Sequence, residues 1–412
     1  MKKQHSIIFV ALILVVFSIS SCSKWDDYKQ YTANGETSYT GKLDSAKISS
    51  GRLRVRLEGI LPADPKIVQC KIYWNDGKDS IQFSIAKGSV PELFSRIFAV
   101  DEGAKNFKIR TFDAAGNSSV VVSTSGVVYG PRYESGLINR PLLSSELFSN
   151  GNTVMTWDNF DTTSGAKGTV SEYTTVSNTK ASVFTPVSQS TTTLPNFKAG
   201  TTVSYKTMYL PNLTAIDTFY CASQTTGVKY EITSLYLSNT GPSFQRNTFD
   251  GRWGTLAAPW ITNAAAKNKG GINGGYSSDA GGVINWETWN NTPVTNGIIY
   301  QSTSAPLPAG KYIVSFDEYS ELQANSTIYC VAAAGGNGIP VLAGLSTALG
   351  FVGAYNGATI GGTSPSANDT RSFSFALTTP QVVSIGFLAN IVGNGNPGSY
   401  IQIKKVQLFS NN

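Results

Sequence analysis

The chain has 412 residues, 41% of them hydrophobic and 14% charged, with a formal net charge of +6. That length supports two to four domains with cores of their own. Low charge with 40 Gly, 19 Tyr, 20 Phe and 7 Trp reads as short-stranded β structure, which argues against a helical bundle or a disordered tail.

The N-terminus reads as an address. Lys2 and Lys3 precede an apolar run from Ile7 to Phe17, followed by Ile19, Ser20, Ser21 and Cys22. Eleven apolar residues are too few for a bilayer span, which needs about 20, and the order basic, apolar, small is that of a secretory signal. The small-residue stretch ending in Cys22 resembles the lipobox of bacterial lipoproteins, so residues 1–21 are expected to be removed and the Cys22 thiol acylated. Lipid chains at one residue tether a protein to the membrane without spanning it. The single histidine is His5, inside this leader, so the mature chain is expected to lack imidazole bases, His-containing triads and His metal ligands. Its 30 basic and 26 acidic side chains show no Lys/Arg run, which argues against nucleic acid. Cys70, Cys221 and Cys330 lie too far apart for a zinc motif and are an odd number, so they read as small buried hydrophobes.

A polar tether, 22–38, leads into the first folded unit, 39–130. Apolar and charged residues alternate from Arg52 to Glu58 at the period of a half-buried strand. Val68, Cys70, Ile72 and Trp74 share a phase, Asn75-Asp76-Gly77-Lys78 makes a turn, and Ile81, Phe83 and Ile85 return as a hairpin. A short helix is expected around Pro91 to Phe98, then strands at Phe107–Ile109 and Val120–Val122, for an immunoglobulin or fibronectin type III-like sandwich. A second such unit, 131–225, carries Val154 and Trp157 in one strand and Val203, Tyr205, Thr207 and Tyr209 in another, ended by Pro211. The third unit, 228–412, is larger and Gly-rich, with strands expected at 311–316, 327–331, 372–377, 382–388 and 400–409. In the last, Ile401 and Ile403 lie on one phase and Val406 and Leu408 on the other, so a β-bulge is expected at Lys404-Lys405. The chain is thus expected to be all-β: two small sandwiches followed by a larger jelly-roll sandwich.

The stretches Tyr39-Thr40-Gly41-Lys42-Leu43-Asp44-Ser45, Lys71 to Ser80 and Tyr209-Leu210-Pro211 with Ala215 to Tyr220 resemble an uncharacterised N-terminal family of Bacteroidetes outer-membrane lipoproteins. Arg252-Trp253-Gly254-Thr255-Leu256, Trp260-Ile261-Thr262-Asn263 and Leu307 to Tyr312 resemble a second family that often follows the first and reads as a jelly roll. The resemblance implies a lipid-anchored outer-membrane protein, exposed at the cell surface and similar to the glycan-binding components of polysaccharide-utilisation systems, with other outer-membrane uptake components as partners.

Trp253, Trp260, Trp286 and Trp289 fall within 37 residues, with Tyr276 between them. Exposed rings stack on apolar sugar faces while amides and carboxylates bond the hydroxyls. Trp253 and Trp260 fit a core. Trp286 and Trp289, in the polar segment Asn285-Trp286-Glu287-Thr288-Trp289-Asn290, are the candidate stacking platform, with Tyr276, Asn285, Glu287 and Asn290 beside them. Asp317 and Glu318, adjacent in a strand, point to opposite faces and do not make a glycosidase pair. Gly393 to Gly398 spells a nucleotide-loop pattern, but Pro397 and a strand follow, so it reads as a hairpin loop. Asp279 and Asp369 lack an ordered Ca²⁺-ligand spacing. The expected function is non-catalytic glycan binding without metal or cofactor. The alternatives are a structural or adhesive scaffold with protein partners and, less favoured, a glycoside hydrolase.

Overall fold

The computed structural model describes residue 29 and residues 38–411, except 87, 289–291, 357–368 and 394–397. The predicted leader and the predicted acylation site, Cys22, lie outside the described residues. Among the described residues no helix is long and apolar enough to cross a membrane. The chain divides into two compact units, Met1–Gly136 with Leu210–Phe219, and Leu137–Tyr209 with Tyr220–Asn412.

The first unit carries β1 (Asp44–Ser50), β2 (Arg54–Leu61), β3 (Gln69–Trp74), β4 (Asp79–Ser84), β5 (Glu92–Ala99), β6 (Gly103–Phe112) and β7 (Val122–Val128). They form a three-stranded sheet, β1-β2-β5, and a four-stranded sheet, β4-β3-β6-β7, the three-on-four arrangement of a fibronectin type III sandwich. Val55, Leu57, Cys70, Ile72, Phe107 and Ile109, all at most 1% exposed, fill the space between them. The predicted hairpin is present, with Trp74 paired to Asp79 across a single 3-10 turn. The helix expected at Pro91–Phe98 is instead β5, paired with β2 from Arg54↔Ala99 to Leu61↔Glu92. Phe94 and Phe98, the buried residues of this strand, are four apart, a spacing that fits a helix turn and a strand face equally well. Eight consecutive paired residues decide for the strand. The loop 210–219 belongs to this unit. Asp217 accepts hydrogen bonds from the Arg52 N–H at 2.8 Å and from Arg54 Nε at 2.9 Å, and forms an ion pair with Arg54 Nη2.

The second unit begins with β8 (Leu142–Leu147), β9 (Thr153–Trp157), β10 (Ala166–Thr174), β11 (Lys180–Pro186), β12 (Thr191–Leu194) and β13 (Val203–Tyr209); the short β14 (Phe219–Tyr220) starts on the last residue of the 210–219 segment, and β15 (Gln224–Thr226) follows. The three-stranded sheet β12-β9-β8 packs with a five-stranded one, β11-β10-β13-β14 with β15 also on β13, in a second small sandwich. Trp157 and Tyr205 meet edge to face at 5.2 Å inside it. Arg140, 2% exposed, ties the interior through donations to the carbonyls of Asp158 and Gln189. The three described cysteines are free and buried as expected, and burial pushes the Cys70 thiol up to about 12.

The remainder of this unit is a larger sandwich. Its strands are β16 (Tyr230–Glu231), β17 (Arg246–Phe249), β18 (Trp253–Leu256), β19 (Ile261–Thr262), β20 (Gly275–Ser277), β21 (Val283–Thr288), β22 (Val294–Ser302), β23 (Gly310–Glu321), β24 (Thr327–Ala334), β25 (Gly350–Asn356), β26 (Asp369–Leu377), β27 (Val383–Ile391) and β28 (Ser399–Ser410). One sheet runs β17-β18-β20-β21-β28-β23-β26, with β16 also on β28; the other runs β19-β22-β27-β24-β25. This is the jelly-roll-like sandwich the sequence predicts, and all five expected strands are present. The bulge is also present: β23 and β28 change register between Asp317↔Lys405 and Glu318↔Ile403, leaving Lys404 unopposed. Gly393 to Gly398, read as a hairpin loop, lies between β27 and β28, which belong to different sheets, so it is part of a crossover between the two layers. Residues 394–397 of it lie outside the described residues.

Candidate functional site

The alternation of β21, β23 and β28 sorts their side chains into an inner and an outer set. Ile284, Trp286, Val314, Phe316, Ile401 and Ile403 belong to the core. The intervening residues stand on the other face in cross-strand rows fixed by register. Glu287, Tyr400 and Glu321 form one row, and Asn285, Gln402 and Tyr319 the next. Below these lie Lys405 opposite Asp317 and Gln407 opposite Ser315, and β26 extends the rows with Thr370 and Ser372. The Tyr319 and Tyr400 rings lie 5.6 Å apart at 44°. The Tyr319 hydroxyl donates to Glu321 Oε1 at 3.3 Å, Lys404 Nζ lies 5.8 Å from the Tyr319 ring centroid, and the Thr370 hydroxyl donates to Asp317 Oδ1 at 2.7 Å. Burial, and then the bond with Tyr319 and the nearby Glu321, hold the Tyr400 hydroxyl well above its ordinary pKa, so it is a neutral donor. The face therefore combines two rings with amides, hydroxyls and carboxylates.

Beside it, the turn before β18 and the segments on either side of β20 build a charged rim. Arg252 Nη2 reaches Asp279 at 3.0 Å and Glu287 at 3.1 Å. Its guanidinium carbon lies 4.1 Å from the Trp253 ring centroid and Lys269 Nζ lies 4.4 Å from it, two cations on one indole. The bond from Arg252 holds the Asp279 carboxyl below its usual range, and burial lowers the Lys269 ammonium. Asp250, accepting the backbone N–H groups of Arg252 and Trp253, pins the turn that presents them.

The predicted site residues divide. Glu287 is on the outer face and half-buried. Asn285 is on the same face but 2% exposed, and neither of its amide atoms has a hydrogen-bond partner among the described residues. Trp286 is fully buried and Tyr276 is 5% exposed, both in the core, which corrects the expectation of an open stacking ring at either position. The reason is phase: in a strand, the polar neighbours of Trp286 point away from it, so a hydrophilic flank marks the opposite face and says nothing about exposure of the ring between. Trp289 and Asn290 lie outside the described residues. Trp260 is core, its Nε1 donating to the Asn239 carbonyl at 2.7 Å, and Trp253 is half-buried under its cations. Asp317 and Glu318 do point to opposite faces; Glu318 is 2% exposed and pairs with Arg371 at 2.6 Å. Asp369 also pairs with Arg371.

Tyr319, Tyr400, Gln402 and Arg252 were not singled out by the sequence. The signal was available in the outer phase of the two longest strands, where ring and polar residues alternate with the aliphatic core positions.

Residues 22–219 match the model of a family described as a domain of unknown function, DUF4998, and residues 238–386 that of a second, DUF5013, also described as a domain of unknown function. No curated protein matches the chain. Among solved structures, the FN1–FN3 domains of chicken CNTN1 align at 11% identity over 45% of this chain and 67% of that one, with a TM-score of 0.28. The two-domain fibronectin type III segment of chicken tenascin aligns at 10% identity over 45% and 97%, TM-score 0.19. The K3 cleaved adhesin domain of Lys-gingipain from Porphyromonas gingivalis aligns at 12% over 37% and 91%, TM-score 0.25. Overlaps this low carry no functional argument. The chain is an all-β protein of sandwich domains in which two stretches are similar to families of unknown function.

Proposed function

We propose that this is a lipid-anchored, non-catalytic cell-envelope protein that binds polysaccharide or oligosaccharide on the outer face of the larger C-terminal sheet. The observation that carries the reading is the paired rows Glu287–Tyr400–Glu321 and Asn285–Gln402–Tyr319, which set rings beside hydrogen-bonding groups on one face. Sugars need both, an apolar surface under the ring and donors and acceptors at its rim. Cys22 is the proposed anchor, placing the protein at the outer membrane with its sandwiches outside. Against an enzyme, the carboxyl held protonated to about 7, Glu318, lies on the inner side of β23, and Glu287 on the outer face is tied to Arg252. In a screen of immobilised polysaccharides, Tyr319→Ala and Gln402→Ala should each weaken retention several-fold while the melting curve stays cooperative. Unchanged retention in both variants removes this face as the site.

The scaffold reading has an observation of its own. On the outer face of β1-β2-β5, Ile60 and Leu93 are cross-strand neighbours, 44% and 75% exposed, and Ile97 is 52% exposed. Exposed apolar residues grouped in this way mark protein contacts. If that surface is the functional one, Leu93→Lys impairs adhesion of cells carrying the protein and leaves glycan retention as it was.

A further inference from the structure

The outer face of β28 does not stop at Gln402. With uniform alternation, residues beyond Ile403 would keep the odd numbers inside; the extra residue Lys404 reverses the phase, so Val406 and Leu408 enter the core and Lys405, Gln407 and Phe409 continue the outer row. That row leads into a cleft of about 1160 Å³ lined by Lys405, Gln407 and Phe409 from β28, by Tyr230, Ser234 and Leu235, and by Glu146 and Phe148 of the preceding sandwich, which lies in the same compact unit. Phe148 is 49% and Leu235 68% exposed there.

The cleft has the composition of the face above it: rings, hydroxyls, an amide, and charges largely balanced within the protein. Glu146 pairs with Lys229 at 3.2 Å, and the Lys229 ammonium lies 4.2 Å from the Phe409 ring centroid. Glu231 accepts a bond from the Thr233 hydroxyl at 2.9 Å. On the face, Lys405 stands opposite Asp317, and Glu287 is paired with Arg252 at 3.1 Å. Neither a strongly anionic nor a strongly cationic ligand is favoured by that balance. The volume exceeds the roughly 300–1,000 Å³ of small-molecule pockets, so one sugar ring would not fill it. Eleven residue steps of about 3.3 Å make β28 a row about 36 Å long.

We propose that the face and the cleft are one track, and that its ligand is an internal segment of a neutral polysaccharide lying along β28, with the preceding sandwich supplying one wall. The inference rests on the carbohydrate reading above and adds to it the class and length of the ligand.

The test uses the full mature chain. Affinity electrophoresis against soluble neutral polysaccharides (mixed-linkage β-glucan, α-glucan, galactomannan) and acidic ones (polygalacturonate, alginate) selects the polymer. Titration calorimetry then compares its trisaccharide with fragments of eight or more units. Wild type should prefer the longer fragment at least tenfold. Phe148→Ala and Leu235→Ala should each reduce that preference to threefold or less with the trisaccharide affinity unchanged; Leu235 is 68% exposed and gives a folded variant if Phe148→Ala does not. Tyr319→Ala should weaken both fragments. If the cleft variants keep the wild-type length preference while Tyr319→Ala loses binding, the track is wrong and the face stands. Retention of acidic polymers alone overturns the ligand class. No retention of any polymer removes the carbohydrate reading and the track with it.

Discussion

Replacing Trp286 with Ala distinguishes a core ring from a surface platform by stability alone. The indole is fully buried in β21, opposite Ile401, and the residue it packs near, Gly297, leaves no room to spare: a Cβ there would lie 3.4 Å from Trp286 Nε1 and 2.4 Å from a Val294 methyl. An aromatic side chain buries about 150–250 Å², which at about 25 cal/mol per Å² is about 4–6 kcal/mol as an upper bound. Measured truncations of buried aromatics fall at about 3–5 kcal/mol, and that is the expected loss. Among the described residues the indole Nε1 has no hydrogen-bond partner, so Trp286→Phe sacrifices no bond to them and should cost only about 1–2 kcal/mol, the price of the lost ring volume. Urea denaturation of both variants, with m-values compared to wild type, reads the difference. A Trp286→Ala loss below 1 kcal/mol at unchanged m-value would refute the core placement.

Three further expectations follow from charge and address. Burial raises the Glu318 carboxyl to about 7 despite the Arg371 pair, so the folded state holds its proton more tightly than the unfolded chain; this contribution is full below about 4.5 and is lost as pH rises to about 7. Denaturation midpoints should fall across that window, by up to about 3 kcal/mol, and Glu318→Gln should flatten the slope; a stability that rises from pH 4.5 to 7 in wild type contradicts it. Asp217 has the opposite sign, its carboxyl lowered mainly by the Arg54 bond, so its contribution fades as pH falls below about 4. Asp217→Ala should free the 210–219 loop and speed limited proteolysis there, with wild-type resistance as the refuting result. Cys22→Ala should move the protein out of the membrane fraction, and retention after alkaline wash would end the lipoprotein reading.

Strands with strict alternation were legible. The 52–58 pattern, the hairpin around Asn75–Lys78 and the long strands of the third unit are encoded locally, because their inner residues are aliphatic and their outer ones polar. β5 was not, since Phe94 and Phe98 fit two periods and only pairing with β2 resolves them. The short strands β17 to β20 escaped because two to four residues carry no period. At Trp286 the polar flank of Asn285 and Glu287 belongs to the opposite face of the strand, and the core of a Gly-rich sandwich needs large rings where glycines leave space. At Gly275, for example, a Cβ would come within 2.4 Å of Ile299.

The phase reversal at Lys404 makes the length of β28 matter more than most of its letters. Substituting Lys404 changes one half-exposed side chain, but deleting it would shift every later residue by one and exchange the two faces of the strand. Val406 and Leu408 would be turned to water, and Lys405, Gln407 and Phe409 driven between the sheets. Insertion of a second residue there would do the same. Variation in this segment is therefore expected to proceed by replacement and not by change of length, and a library that allows single-codon deletions across 399–410 should lose folded protein at every position on the C-terminal side of the bulge where substitution is tolerated.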